Sequence, residues 1–248
     1  MAKGRLSQAV SELSDALVED YDVTGFLELT ARHCSEISGV ADVGVILATD
    51  SGTVEVGFST TERMHAMEQL QVDHGQGPCM DACRTGRPEL NELPERARWE
   101  TSAFGDRARD AGFRRVHAIP LRLRDRVIGA VNIFDVDGRW LTGPDLEGVQ
   151  MVADMATMGI LQERAMRDAV VLARQLQSAL DTRVVIEQAK GILAERCKLD
   201  IPGAFALLRG YARCRNLKVG AVAEEVVSGA LLAEELVATA APGRCHHR

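Results

Sequence analysis

The chain has 248 residues, of which 46% are hydrophobic and 26% are charged, and its mean hydropathy is -0.06. This composition is typical of a folded globular protein and excludes a disordered or fibrous one. The formal net charge of -7, taken over the whole chain, does not suggest a nucleic-acid partner. The length allows one large domain or two small ones, and we expect two.

Hydrophobic periodicity predicts an α+β domain in the first part of the chain. Its helices are predicted at 6–19, from the candidate N-cap Thr24 to Gly39, at 63–69 and at 101–111. Short apolar runs predict four strands of an antiparallel sheet at 43–48, 53–58, 116–121 and 127–134. A Gly-Pro loop is expected at 75–78.

A long helical pattern begins near Pro144. From Met166 to Leu180 its apolar residues are spaced by three and four residues, which is a heptad stripe. The stripe favours a coiled-coil homodimer, and packing of the stripe on its own domain is the alternative. Three more helices are predicted after it, at 183–197, after Asp200, and from about Val219 through Leu231.

Charge is distributed unevenly along the chain. Residues 1–180 carry a net charge of -9 and residues 219–248 carry -2, whereas residues 181–218 hold eight basic and four acidic residues, a net charge of +4. A local excess of Lys and Arg is what binding to a phosphate backbone requires. A solvated helix face would give the same pattern, so charge alone leaves both interpretations open.

The candidate phosphate ligands are Arg183, Lys190, Arg196, Arg209, Arg213 and Lys218. Arg209 and Arg213 are four residues apart and share a helix face, and Glu187 is close enough to Lys190 to neutralise part of its charge. Phe205 is expected in the core of its helix, together with Tyr211, and not as a platform for bases. Gly191 lies where a neighbouring backbone could approach closely.

The segment from Ala179 to Val227 resembles an ANTAR domain. The motifs that carry the resemblance are Ala189-Lys190-Gly191, Ala204-Phe205, Leu208-Arg209, Asn216, Val222-Ala223 and Val226-Val227. The resemblance implies a three-helix module that binds paired RNA stem-loops in a nascent transcript and prevents a transcription terminator from forming. The six cations would then be RNA-binding residues.

The first domain resembles a GAF domain of the kind joined to ANTAR in actinobacterial regulators. Its motifs are Gly75-Gln76-Gly77-Pro78-Cys79, Ala82, Arg98-Trp99, Ile119-Pro120-Leu121 and Ile128-Gly129-Ala130. The resemblance implies a sensor domain whose signal, a small molecule or a protein, is unknown. The chain then divides into an N-terminal helix at 1–22, a GAF-like sensor domain at 23–142, a connecting helix at 143–180, an ANTAR-like RNA-binding bundle at 181–240 and a disordered tail at 241–248.

Cys79 and Cys83, with His65 and His74 before them, are the main concentration of Cys and His in the chain. Their spacing matches no zinc pattern, so structural thiols are favoured and no metal site is predicted. The two cysteines are kept as candidates for ligand or redox sensing. No catalytic motif is present, so neither an enzyme activity, nor a catalytic residue, nor a cofactor is predicted.

The six cysteines do not form the dense framework of a small secreted domain, so reduced thiols are expected. No apolar stretch approaches the roughly 20 residues that cross a membrane, and the N-terminus lacks the apolar segment of a secretion signal. We therefore expect a cytoplasmic protein without a membrane partner.

The sequence thus predicts a signal-responsive regulator that acts by transcription antitermination, in which the sensor domain controls how the RNA-binding module is presented. Two alternatives stay open. One is a DNA-binding regulator with the same architecture, and the other is a thiol-based redox sensor or enzyme centred on Cys79 and Cys83.

Overall fold

A computed structural model describes residues 2–17, 22–49, 51–92, 102–138, 141 and 143–240 of the chain. Its helices are α1 (Ala2–Ala16), α2 (Val23–Ser38), α3 (Glu62–His74), α4 (Pro78–Thr85), α5 (Ala103–Asp110), α6 (Gly143–Cys197), α7 (Ile201–Arg215), α8 (Val219–Ser228) and α9 (Ala233–Ala240). Its strands are β1 (Asp42–Ala48), β2 (Val54–Ser59), β3 (Glu89–Glu92), β4 (Arg115–Leu123) and β5 (Arg126–Asp135). The chain divides into two compact units, Met1–Ala165 and Met166–Arg248.

The first unit is an α+β fold built on one antiparallel sheet with the strand order β2-β1-β5-β4-β3. Successive side chains of a strand point to opposite faces, so each strand contributes to two cores. Val43 and Val45 pack with α1, α2 and the first part of α6 on one face. Ile46 packs with α4 on the other face, where α3 and α5 form a neighbouring cluster around Phe134.

The four predicted strands are confirmed, but β3 and α4 were not predicted. β3 is a four-residue strand, Glu-Leu-Asn-Glu, that pairs only with β4 among the described strands. Its sequence has no repeated apolar alternation, so only the tertiary pairing identifies it. α4 begins at Pro78 inside the expected Gly-Pro loop, because proline is well suited to the first turn of a helix.

The N-cap of α2 is Asp22, and the prediction of Thr24 is wrong. The Asp22 carboxylate accepts hydrogen bonds from Thr24 N at 3.2 Å and from Gly25 N at 3.0 Å. Asp is a strong N-cap because its short side chain reaches these two unpaired amides, and Thr24 therefore lies inside the first turn.

The connecting helix and the helix predicted at 183–197 are one helix, α6. No proline interrupts this segment after Pro144, and its early glycines Gly148 and Gly159 are both in close contact with neighbouring side chains. A Cβ atom at Gly159 would lie 2.7 Å from Leu17 Cδ2 and 2.8 Å from Phe26 Cζ, so glycine lets these side chains approach the helix. The last predicted helix is instead divided into α8 and α9 at Gly229, which has a left-handed φ of 78°.

Cys34, Cys79, Cys83 and Cys197 are free thiols, as expected. Cys214 is disulfide-bonded, so the prediction of reduced thiols is wrong for this residue. Among the described helices, none combines the length and the apolar character needed to cross a bilayer. The predicted tail at 241–248 and the Arg98-Trp99 motif lie outside the described residues.

Candidate nucleic-acid interface

The second unit is a helical bundle around a small apolar core. α7 packs against α8 and α9, and α9 extends the predicted three-helix bundle. The residues buried in the core are Ala189, Leu193, Ala204, Leu208, Tyr211, Ala212, Val222, Ala223, Val226, Leu231, Ala233 and Leu236. Because small alanines alternate with Leu and Val, the helices approach closely and their polar residues face outward.

Local capping fixes both ends of α7. The Asp200 carboxylate accepts a hydrogen bond from Gly203 N at 2.8 Å at the start of the helix. At its end Asn216 adopts a left-handed φ of 53°, and its N–H donates to the carbonyls of Ala212 and Arg213. Asn tolerates this conformation better than most residues. The tight ending places Arg213 in the last turn of α7 and Lys218 at the N-cap of α8.

The start of α8 lies directly against α6. A Cβ atom at Gly220 would lie 2.7 Å from Thr182 Cγ2, so only glycine allows this approach without a shift of Thr182. Lys218 precedes Gly220 by two residues, and Arg183 follows Thr182. The packing therefore brings Lys218 and Arg183, which are 35 residues apart in the sequence, to the same end of the bundle.

Five of the six predicted cations are exposed: Arg183, Arg196, Arg209, Arg213 and Lys218. Within the described part of the chain, no carboxylate forms an ion pair with any of them. Their positive charge is therefore not neutralised by the fold and is available to a polyanion.

Lys190 differs from the other five. Its side chain is only 15% exposed, and its Nζ donates to Glu187 Oε1 at 2.8 Å and to Glu187 Oε2 at 2.7 Å. This confirms the expected neutralisation by Glu187. Lys190 Nζ also lies 5.6 Å from the centroid of the Phe205 ring, so the lysine links α6 to α7.

Arg196 lies on a different face of α6, about 120° around the helix axis from Lys190. It lines a surface cavity of about 430 Å³ together with Cys197, Ala233, Glu234 and Val237. Glu234 lines the same cavity without forming an ion pair with Arg196, and an acidic residue nearby makes Arg196 a weaker candidate for binding an anion than Arg209 or Arg213. The structure therefore does not group Arg196 with the cations near Phe205.

The expectation that Phe205 is buried is wrong, whereas Tyr211 is buried with 6% exposure as predicted. Phe205 is partly exposed, and Arg209 Cζ lies 5.8 Å from its ring centroid. Position 205 lies at the edge of the buried stripe of α7, beside the fully buried Ala204 and Leu208. The spacing of apolar residues could not separate this edge from the core, because both carry large apolar side chains.

Cys79 and Cys83, the two candidates for ligand or redox sensing, lie beside a buried polar cluster in the first unit. Glu68 on α3 is fully buried, and Asn132 Nδ2 on β5 donates to its two carboxylate oxygens. Glycine at position 44 leaves room for this acid, since a Cβ atom there would overlap Glu68 Oε1. Cys79 is fully buried on α4, where its backbone N–H donates to Gln71 Oε1 at 3.0 Å.

Burial governs the protonation of this cluster. Loss of hydration raises the pKa of Glu68 to about 8, and hydrogen bonds from Asn132 and Cys79 offset part of this rise. Burial also raises the pKa of Cys79 well above its ordinary value and that of Cys83 to about 12, with the negative charge of Glu68 adding to both. The reactive form of cysteine is the thiolate, so this environment does not favour thiol chemistry.

Sequence reasoning missed Glu68 and Asn132, because a polar residue within a helix or strand pattern carries no sign of burial. In the described residues, no group of three or more His, Cys, Asp or Glu side chains is placed to hold a metal ion. His65 and His74 are exposed, and His74 Nδ1 lies 3.0 Å from the carbonyl oxygen of Leu70.

Comparison with solved structures identifies the fold of the first unit. A GAF domain of a phosphoenolpyruvate-protein phosphotransferase from Coxiella burnetii is similar with a TM-score of 0.52 and 10% identity, over 66% of this chain and 97% of that one. A GAF domain of a phosphoenolpyruvate-protein phosphotransferase from Acinetobacter is similar with a TM-score of 0.50 and 9% identity, over 66% and 97%. No curated protein matches the chain.

Two family models match the sequence. The GAF domain model matches residues 20–160, which is more than half of the chain, and the ANTAR domain model matches residues 174–227, which contain all six predicted cations. The chain therefore belongs to the GAF domain family and is a GAF and ANTAR domain-containing regulator.

Proposed function

We propose that this regulator binds paired RNA stem-loops in a nascent transcript and acts by transcription antitermination, under the control of a signal received by its GAF domain. The observation that carries the proposal is a set of exposed cations for which the described residues offer no carboxylate partner, and which lies in the ANTAR segment of an otherwise acidic chain. Neutralising RNA phosphates with these groups would release counterions and drive binding.

The long helix supports dimeric presentation of the RNA-binding bundle. All residues from 165 to 181 are exposed, including Met166 at 65%, Leu176 at 59% and Leu180 at 58%. Among the described residues nothing covers the heptad stripe, and a second copy of the chain would bury it. Two copies would present two bundles, one for each of two stem-loops.

Binding of the signal and binding of RNA would then be coupled through the arrangement of the two α6 helices of a dimer. A ligand shifts an equilibrium only by its different affinity for two states, so the signal must favour one arrangement of the bundles over another. The proposed site of action is the cytoplasm, as predicted from the sequence. Neither Cys79 nor Cys83 has the low-pKa environment that a thiol sensor would need.

Binding of the full-length chain to a tandem-hairpin RNA, compared with duplex DNA of the same sequence, tests the proposal. We expect tight binding to the RNA only, and loss of that binding in the double variant Arg209→Glu/Arg213→Glu. The matched control is Arg107→Glu/Arg109→Glu, which makes the same change of charge on exposed positions of α5 in the first unit.

Preference for duplex DNA would favour the DNA-binding alternative. Equal losses in both double variants would show that net charge, and not the ANTAR surface, determines the affinity.

A further inference from the structure

Phe205 occupies an unusual position for an aromatic residue of a small bundle. Ala204 and Leu208 on the same helix are fully buried and Tyr211 is 6% exposed. Phe205 is partly exposed, and it is not among the described side chains that pack against the core. A ring that stays partly in water gives up hydrophobic free energy that a core position would provide. Packing within the bundle therefore does not explain why this residue is aromatic.

Two cations lie at this ring. Lys190 Nζ is 5.6 Å and Arg209 Cζ is 5.8 Å from the ring centroid. Lys190 is held in place by Glu187, whereas no described carboxylate pairs with Arg209. A cation–π contact at a partly exposed site is weak, so Arg209 is able to leave the ring when a phosphate is offered.

Arg213 lies one helical turn beyond Arg209, so an aromatic surface and two guanidinium groups follow one another along one side of α7. Side chains of this kind bind single-stranded nucleic acid, because bases stack on an aromatic face while cations contact the backbone. Bases in RNA loops are unstacked and accessible to such a surface, whereas bases within a duplex are not.

We propose that Phe205 is a stacking platform for an unpaired base of the RNA loop, with Arg209 and Arg213 contacting the phosphates next to that base. This inference rests on the proposed function and adds a base-contacting residue to it. The exposed cations alone would bind any RNA backbone, and the platform would favour RNA that presents an unpaired base.

The test uses the full-length chain, the tandem-hairpin RNA and two substitutions at the same position. Phe205→Leu keeps an apolar, helix-forming side chain but removes the aromatic face, and Phe205→Tyr keeps that face. We expect Phe205→Leu to weaken binding about tenfold and Phe205→Tyr to bind like the wild type. Far-UV circular dichroism and thermal unfolding verify that both variants are folded.

The dependence of affinity on salt separates stacking from charge. Stacking releases no counterions, so Phe205→Leu should leave the slope of log affinity against log salt unchanged. Arg213→Ala, which removes one proposed phosphate contact, should reduce the magnitude of this slope by about one. A fluorescent base, 2-aminopurine, placed at each loop position in turn reports stacking through a loss of fluorescence. We expect this loss at one loop position when the wild type binds, and no such loss when Phe205→Leu binds.

Three results would contradict the stacking platform. If Phe205→Leu binds as tightly as the wild type, the platform is wrong and the proposed function stands. A shallower salt slope in Phe205→Leu also overturns the platform, because the ring would then act only by holding cations. Failure of the wild-type chain to bind hairpin RNA overturns the proposed function and the platform together.

Discussion

Asn132 Nδ2 on β5 donates hydrogen bonds to both carboxylate oxygens of Glu68 on α3, at 2.9 and 3.1 Å. Both residues are completely buried, and 64 residues separate them in the sequence. The pair joins β5, the central strand of the sheet, to α3, which packs on one face of that sheet. An isolated buried carboxylate is strongly unfavourable, so the acid is held in its neutral form at neutral pH.

The pKa of Glu68 predicts how stability depends on pH. The folded chain holds this proton up to about pH 8, whereas the ordinary pKa of the group is 4.5. The folded state therefore binds more protons than the unfolded state between these values, and stability falls as pH rises through this window. The slope is on the order of 1 kcal/mol per pH unit.

We expect Glu68→Gln, which resembles the protonated acid, to remove this slope and to be more stable than the wild type near pH 8. Amide hydrogen exchange of the intact protein in urea, read over the residues of α3 and β5, reports the stability of the first unit. Glu62→Gln on the exposed side of α3 is the control. Parallel stability curves for wild type and Glu68→Gln would contradict the prediction.

Gly129 on β5 is predicted to be intolerant of any side chain. A Cβ atom there would overlap the carbonyl oxygen of Ile46, which belongs to the neighbouring strand β1. A backbone oxygen cannot move away without breaking the ladder, so Gly129→Ala should lower the free energy of unfolding by about 3 kcal/mol. Amide hydrogen exchange of the intact protein in urea, read over the residues of β4 and β5, measures the loss. Gly143→Ala, where a Cβ atom meets nothing within 4 Å, should show no comparable loss.

At Gly191, in contrast to Gly129, substitution by alanine should increase stability. The expectation that a neighbouring backbone approaches it is wrong, because Gly191 is exposed and a Cβ atom there would meet nothing within 4 Å. Two residues on either side, Ala189 and Leu193 face the core, so Gly191 points outward. Gly191→Ala should therefore stabilise α6 by about 1 kcal/mol, since Ala is the better helix former.

Amide hydrogen exchange of the intact chain measures this gain as slower exchange across residues 184–197. Gly220→Ala is the contrasting variant, because its Cβ atom would press against Thr182 Cγ2 at 2.7 Å. Faster exchange in Gly191→Ala would disprove the prediction.

The exposed heptad stripe of α6 is expected to determine the oligomeric state. Leu176→Glu/Leu180→Glu places two like charges in a seam between two copies, so the protein should elute as a monomer in size-exclusion chromatography with light scattering. Both side chains are more than half exposed within one chain, so the fold of the monomer should be unaffected. Gln175→Glu/Ser178→Glu adds the same charge outside the stripe and should leave a dimer. A monomeric wild type would refute the coiled coil.

The sequence by itself determined the secondary structure that rests on local chemistry. Val43–Ala48 and Val127–Phe134 read as strands because β-branched residues dominate them, and Asp200 with Pro202 begins α7 through capping that acts within a few residues. The ANTAR motifs and the net charge of +4 at residues 181–218 likewise needed no coordinates.

Tertiary structure alone decided which polar and aromatic residues are buried. Glu68 is neutral and enclosed only because Gly44 and Asn132, distant in sequence, lie against it. Phe205 is partly exposed only because the core of the bundle ends one residue away, at the fully buried Ala204. Burial depends on contacts between elements that are far apart along the chain, and the periodicity of a single helix or strand contains no record of them.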